Sequence, residues 1–317
     1  MARCRPARGR HRPVKAEPTQ LTPGGTNAVG RILGLLGDEW TLLIIQQALL
    51  GASRYGEFMK RLPISNTVLS NRLRALTDSD ILVRAPYQSR PVRAEYLITQ
   101  RGRAFWPVLL SIWDWERRWV PDHVHQLPGM RHTQCGSHFA PTLACRACGE
   151  AVTEKDVAAR WGPSGSWSRS VPEATTRRRS SADGERGQAG LFPETMSVFG
   201  NRWAAAVLVC AFLGTSRFSD FQTQLGVPPS LLSGRLQTFC ANGVLCTSRE
   251  TNYQLTEKGR AFFPVIVAAL QCGQHWFRAP EGPAVRLTHL GCGKPFVGQL
   301  TCDQCARPLK GAQVRVD

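Results

Sequence analysis

The sequence has no apolar run long enough to cross a bilayer: the longest, Trp203–Leu213, holds 11 residues, where a membrane helix needs about 20. No membrane-spanning helix is expected, and that run reads instead as a buried helix. Residues 1–27 are rich in Arg and Pro and have no apolar core of a secretory signal, so the chain is expected to stay in the cytoplasm. Acidic residues are scarce, 23 Asp+Glu against 40 Lys+Arg, for a net charge of +17. Motifs that carry chemistry are missing as well. There is no P-loop, no G-x-G-x-x-G after a strand-like run, no H-E-x-x-H and no pair of acids on one helix face. An enzyme is not expected. What the chain does have is 42% hydrophobic residues, enough for ordinary cores and too many for a largely disordered chain. At about 100–200 residues per domain, its 317 residues predict two domains.

The positive charge is unevenly placed. Residues 1–27 and 28–120 carry +5 each, whereas 191–280 carry only +3. Such an excess suits a polyanionic partner, because each Lys or Arg that meets a phosphate releases condensed counterions; on charge alone, a solubilising role fits equally. Arg3, Arg5, Arg8, Arg10, Arg12 and Lys15 alternate with Pro and Gly, which predicts a disordered basic arm over 1–27.

An internal repeat sets the organisation. Gly37-Asp38-Glu39-Trp40 recurs as Gly200-Asn201-Arg202-Trp203, and Leu69-Ser70-Asn71-Arg72-Leu73 as Leu232-Ser233-Gly234-Arg235-Leu236, both at an offset of 163. Tyr96-Leu97-Ile98-Thr99 then matches Tyr253-Gln254-Leu255-Thr256 at 157, so the second copy lacks six residues between Leu82 and Tyr96. The chain therefore reads as a basic arm (1–27), a first unit (28–120), a Cys/His module (121–150), a flexible linker (151–190), a second unit with a shortened loop (191–280) and a second Cys/His module (281–317).

Within the first unit the pattern predicts two helices over 28–50, a third capped by Ser53, and a fourth capped by Ser65 and running to about Asp78. Ile81–Val83 and Ala94–Ile98 read as paired strands around a loop, and Thr99 opens a last helix to about Trp119. The expected fold is mainly α with small β-wings: two winged helix-turn-helix domains, each followed by a small zinc-ribbon-like Cys/His module. At about 100° per residue, Leu69, Leu73 and Leu76 share one face of the fourth helix, which leaves Thr67, Ser70, Asn71 and Arg74 on the other. A free face of that chemistry suits a major groove, where Asn pairs with adenine and Arg with guanine. Ser65 at the cap and Arg72 on the flank join the candidate DNA contacts, and Arg84, Arg90 and Arg93 in the hairpin form a wing fit to grip phosphates. A merely solvated polar face is the plain alternative. In copy two Asn71, Arg74 and Arg84 become Gly234, Gln237 and Thr247, while core leucines and capping geometry are expected to survive. Its secondary candidates are Ser230, Ser233, Arg235, Gln237 and Arg249, and copy one is read as the principal DNA reader.

The cysteines repeat too. His132-x2-Cys135-x9-Cys145-x2-Cys148 returns as His289-x2-Cys292-x9-Cys302-x2-Cys305. Two short chelating pairs joined by a small loop can supply the closed tetrahedron of a structural zinc, so one zinc per module is expected. Each module is too short to hold itself by apolar burial. Redox-active or metal-free thiols are the alternatives. His138 is a rival ligand, but its counterpart is Pro295. Cys210, Cys240, Cys246 and Cys272 lie in apolar surroundings and read as core thiols.

The run Leu35-Leu36-Gly37-Asp38-Glu39-Trp40, then Ser53-Arg54-Tyr55-Gly56-Glu57-Phe58, Leu69–Leu73, Pro86-Tyr87, Pro91–Tyr96 and Leu97–Gly102 resembles the HxlR-type winged-helix transcriptional regulators of bacteria, over about 27–120 and again over about 190–277. The resemblance implies binding to double-stranded promoter DNA, with dimerisation through the first and last helices. Here that pairing is open to a homodimer or to an intramolecular pseudo-dimer of the two copies. Redox-sensing members carry a Cys about thirteen residues before the Trp; this chain has Asn27 and Gly190 there, a departure from a thiol switch. The competing expectation is a protein–protein adaptor that binds DNA only non-specifically.

Overall fold

Asn27, Ser65, Thr99 and Thr256 each accept a backbone N–H at the start of a helix, and apolar stripes then fold the helices together. The computed structural model describes residues 14–90, 92–121, 127–171, 192–200, 203–248 and 252–317. In chain order the elements are β1 (Thr19–Gln20), α1 (Ala28–Leu36), α2 (Glu39–Leu49), α3 (Tyr55–Arg61), α4 (Asn66–Asp78), β2 (Leu82–Ser89), β3 (Val92–Ile98), α5 (Gln100–Arg103), α6 (Trp106–Trp119), β4 (Met130–His132), β5 (Pro141–Cys145), β6 (Val157–Trp161) and α7 (Trp167–Ser170). They continue with α8 (Pro193–Phe199), α9 (Ala204–Phe212), α10 (Phe218–Leu225), α11 (Pro229–Ala241), β7 (Leu245–Ser248), β8 (Asn252–Leu255), α12 (Glu257–Arg260), α13 (Phe263–Trp276), β9 (Phe277–Arg278), β10 (Val285–His289), β11 (Gly298–Cys302) and β12 (Val314–Val316). The chain divides into two units, one holding Ile44–Ala104 with the segment ending at Glu17, the other Pro18–Leu43 and Phe105–Asp317.

The first unit is a helix-turn-helix with its wing. Glu57 accepts from the N–H groups of Ser53 (2.8 Å) and Arg54 (3.0 Å) and closes the first turn of α3. Ser65 accepts from the Val68 N–H at 3.4 Å to open α4, whose Leu69, Leu73 and Leu76 are buried. β2 and β3 pair antiparallel from Leu82↔Ile98 out to Ser89↔Val92. The segment expected as a loop is therefore strand for most of its length. Pro86, which cannot donate to a ladder, is accommodated by a register shift between Pro86 and Gln88. Ser53 accepts from the Tyr96 N–H at 2.6 Å, and Arg54 bridges Glu95, which ties the start of α3 to the wing.

The second unit holds the rest of copy one and all described residues of copy two. α1 packs on α13, and α6 crosses α13. An added Cβ on Gly273 would lie 2.9 Å from the Ala28 carbonyl, so glycine permits the α1–α13 crossing. At the equivalent crossing of α6 and α8, the buried Glu116 accepts from both the N–H (2.8 Å) and the hydroxyl (2.6 Å) of Thr195. First helices thus pack on the last helices of the other copy.

The Cys/His regions go further and exchange strands. β4 pairs with β12, β10 with β6, and β5 with β11. In the last pair Leu143 faces Leu300, its own counterpart at offset 157, so a local two-fold passes between them. Leu127, Phe139, Leu143, Val152, Phe296, Leu300 and Leu309 form one buried cluster with Leu110 and Trp113 of α6 and Val267 of α13. Two modules expected to be separate and nearly coreless share a core, because each supplies strands to the other.

Three further expectations change. The first part of the 151–190 linker is folded: β6 pairs with β10, and Asn27 donates to Ser164 (3.0 Å) and Ser170 (2.9 Å). The α11 cap does not survive, since Pro228 stands at the Ser65 position and makes no side-chain cap bond. Cys246 is exposed rather than in a core, whereas Cys210 and Cys272 are buried. The basic residues Arg3–Arg12 and residues 172–191 lie outside the described residues.

Candidate nucleic-acid interface and metal centres

With its leucines inward, α4 turns Thr67, Ser70, Asn71 and Arg74 to solvent, and Ser65 at its start is exposed as well. Arg72 is half-buried on the flank. The Tyr55 hydroxyl donates to the Asn66 carbonyl at 3.0 Å and lies 3.3 Å from the Ser70 hydroxyl, which braces the helix against α3. Arg84, Arg93 and Arg90 are exposed on β2, β3 and the turn between them. Sequence reasoning missed how the wing is held. The Arg54 guanidinium stacks 4.6 Å from the centroid of Tyr87, itself 42% exposed. Such a contact stiffens the hairpin. Tyr87 falls within the stretch where copy two is six residues shorter, and that absence was the available signal.

Copy two offers a poorer surface of the same kind. Ser230 and Gln237 are exposed, Ser233 and Arg235 half-buried, and β7 and β8 are four residues each. Arg249 lies outside the described residues.

The eight Cys/His residues form two tetrads, but not the expected ones. His132 and Cys135 of copy one meet Cys302 and Cys305 of copy two, and Cys145 and Cys148 meet His289 and Cys292. The strand exchange causes this, because β5 and β11 run side by side and carry each Cys-x2-Cys pair to the opposite His-x2-Cys pair. His132 Nδ1 lies 3.5 Å from Cys135 Sγ and 3.4 Å from Cys305 Sγ, with Cys135 and Cys302 sulfurs 3.9 Å apart. His289 Nδ1 lies 3.4 Å from Cys148 Sγ and 3.2 Å from Cys292 Sγ. A zinc tetrahedron with bonds of about 2.3 Å to sulfur and 2.0 Å to nitrogen has edges of about 3.5–3.8 Å, so both tetrads could hold such an ion. His138 lies instead against Arg131 and Asp317.

The ligand turns are alike. The residue after each second ligand, Gly136, Gly149, Gly293 or Ala306, has a positive φ, and its N–H donates at 2.8 Å to the carbonyl of His132, Cys145, His289 or Cys302 respectively. Three of the four are glycine, the residue that takes this conformation without strain, and Cys-Gly in the sequence was a signal for the turn. Backbone N–H groups also face the sulfurs. The Ser137 N–H, helped by His132, Cys305 and Cys302, brings the Cys135 thiol down to about 6. Burial raises the Cys145 thiol, but the N–H groups of Ala147 and Cys148 outweigh it and carry it below its usual range. Burial pushes Cys302 up to about 11. Thiolate is the form that ligates, and a bound cation would favour it at every sulfur.

Short helices followed by a β-hairpin define a winged helix-turn-helix, an order present in both copies, with the basic wing on copy one. The HxlR-like helix-turn-helix model matches residues 35–124 and 198–281, more than half of the sequence, and the chain belongs to this family. It is similar to an uncharacterized HTH-type transcriptional regulator of Mycobacterium tuberculosis, 38% identical over 136 residues that make up 43% of this chain and 86% of the relative. That relative is therefore about half as long as this chain. A regulator of the same description from Bacillus subtilis, YvaP, is 35% identical over 91 residues, 28% of this chain and 84% of the relative. A third, from Synechocystis, is 34% identical over 85 residues, 26% of this chain and 63% of the relative. This is a family of helix-turn-helix regulators rather than of enzymes. Among the described residues no helix is long and apolar enough to cross a membrane.

Proposed function

We propose that the chain is a sequence-specific transcriptional regulator in which copy one reads double-stranded promoter DNA and copy two is chiefly its pairing partner. The observation that carries this is the exposed Thr67, Ser70, Asn71 and Arg74 face of α4 beside a wing bearing Arg84, Arg90 and Arg93. Asn71 and Arg74 are the base-reading side chains, and the wing arginines and Ser65 position the helix on the backbone. The two tetrads each hold a structural zinc that staples one copy to the other. Four ligands close each site and leave no position open for catalysis. The intramolecular pairing of first and last helices takes the place of a homodimer contact.

Selection of binding sites from random DNA tests the reading. One enriched motif is expected, and Arg74→Ala should cost about 1–3 kcal/mol at one base position while relaxing the preference there. Arg90→Ala should weaken all sequences alike and reduce the salt slope by about one. No enriched motif, with binding that is only salt-steep, would instead favour the adaptor.

A further inference from the structure

The two copies place the same core positions differently. In copy one, Leu42 and Leu43 of α2 and Ile112 and Trp113 of α6 are buried. Their counterparts at offsets 163 and 157 are Ala205 and Ala206 of α9 and Ala269 and Leu270 of α13. All four lost volume. An apolar cavity of ≈ 140 Å³ lies there, lined by these residues together with Phe199, Phe212 and the segment bearing β6 and α7.

The cavity reaches solvent. Among its lining residues Trp161 is 41% exposed and Leu213 is 50% exposed, and Trp161 meets Trp167 edge-on with centroids 5.0 Å apart. Polar groups are few. The Ser170 hydroxyl is already used, donating to the Ser166 carbonyl at 2.7 Å and accepting from Asn27 at 2.9 Å, which leaves the Glu154 carboxylate. An anion is disfavoured, because the lining carries no Lys, Arg or His to meet its charge. A comparable engineered cavity of about 150 Å³ lined by Leu, Ile and Phe stays dry and takes benzene.

We infer that the hollow of copy two is a binding site for a neutral, apolar small molecule of about one aromatic ring. It enters past Trp161 and Leu213 and fills the space that Leu42, Leu43, Ile112 and Trp113 fill in copy one. A core that lost this much volume with nothing in its place would be destabilised, and an occupant restores the contacts.

The probe is fluorobenzene, titrated into the zinc-loaded full chain and followed by 19F NMR, with NOEs to protein methyl groups. The expected result is saturable binding of one equivalent with NOEs to the Ala269 methyl. Ala206→Leu and Ala269→Ile, which restore the copy-one residues, should each weaken binding at least tenfold without lowering the melting temperature. Ala269→Val, a milder filling, should weaken it less and covers the case in which the larger variants fail to fold. No saturable binding, NOEs only elsewhere, or undiminished binding by well-folded filled variants would overturn the inference. Occupancy is read without DNA, so this site and the DNA reading stand or fall separately.

Discussion

Asp114 on α6 is held by Arg118 at 2.7 Å, an ion pair that works to lower its pKa. Burial works the other way and wins, pushing the carboxyl up to about 6, with Asp303 adding to the rise. The native state therefore keeps a proton between about pH 4 and 6 that the unfolded chain has released, and stability falls as pH rises through that window. Asp114→Asn should gain about 1–2 kcal/mol over the parent above pH 6 and lose the advantage near pH 4, read from denaturant midpoints across pH. The sequence displays such residues without their surroundings. All eight members of the two tetrads were legible by type and spacing, whereas their partners were not, since spacing within a segment does not say which strand will lie beside it. Asn27 shows the converse: it stands where redox-sensing relatives of this type carry a thiol, and it is fully buried, capping α1 through the N–H groups of Val29 and Gly30.

Helices and hairpins were the most legible scale. The Leu69–Leu73–Leu76 stripe predicted α4 and its free face, and Thr99 does cap the turn that follows the wing, accepting from the Gly102 N–H at 3.1 Å. Less legible was the length of the wing, because Pro86 and Pro91 read as loop residues while a bulge lets the ladder pass Pro86. The cap of α11 misled because the repeat keeps the leucines and replaces the capping serine with Pro228. Ser65→Ala should therefore destabilise the first unit by about 0.5–1 kcal/mol, while an alanine at Pro228 should remove no capping bond. Hydrogen exchange of the first-turn amides of α4 and α11 would separate the two.

The exchange of strands is a property of the whole molecule, and metal counting tests it. Cys135→Ser with Cys302→Ser removes two ligands of one tetrad, so the chain should keep one zinc of two. Cys135→Ser with Cys145→Ser strikes both tetrads and should lose both ions. Pairing within each copy predicts the reverse, and elemental analysis of the purified variants decides. The double that loses both ions should also melt at a lower temperature, because structural zinc contributes binding energy directly to folding.

Covalent duplication has one more consequence. In a symmetric dimer of identical chains every substitution is made twice, so a change useful on one side must be tolerated on the other. Here Leu42 and Ala205 are encoded separately, and the same holds for Arg74 and Gln237. Interleaved strands and shared tetrads keep the halves together while their sequences diverge. A fold that symmetry would hold to two identical roles is thereby free to give one half a filled core and a full wing, and the other a hollow.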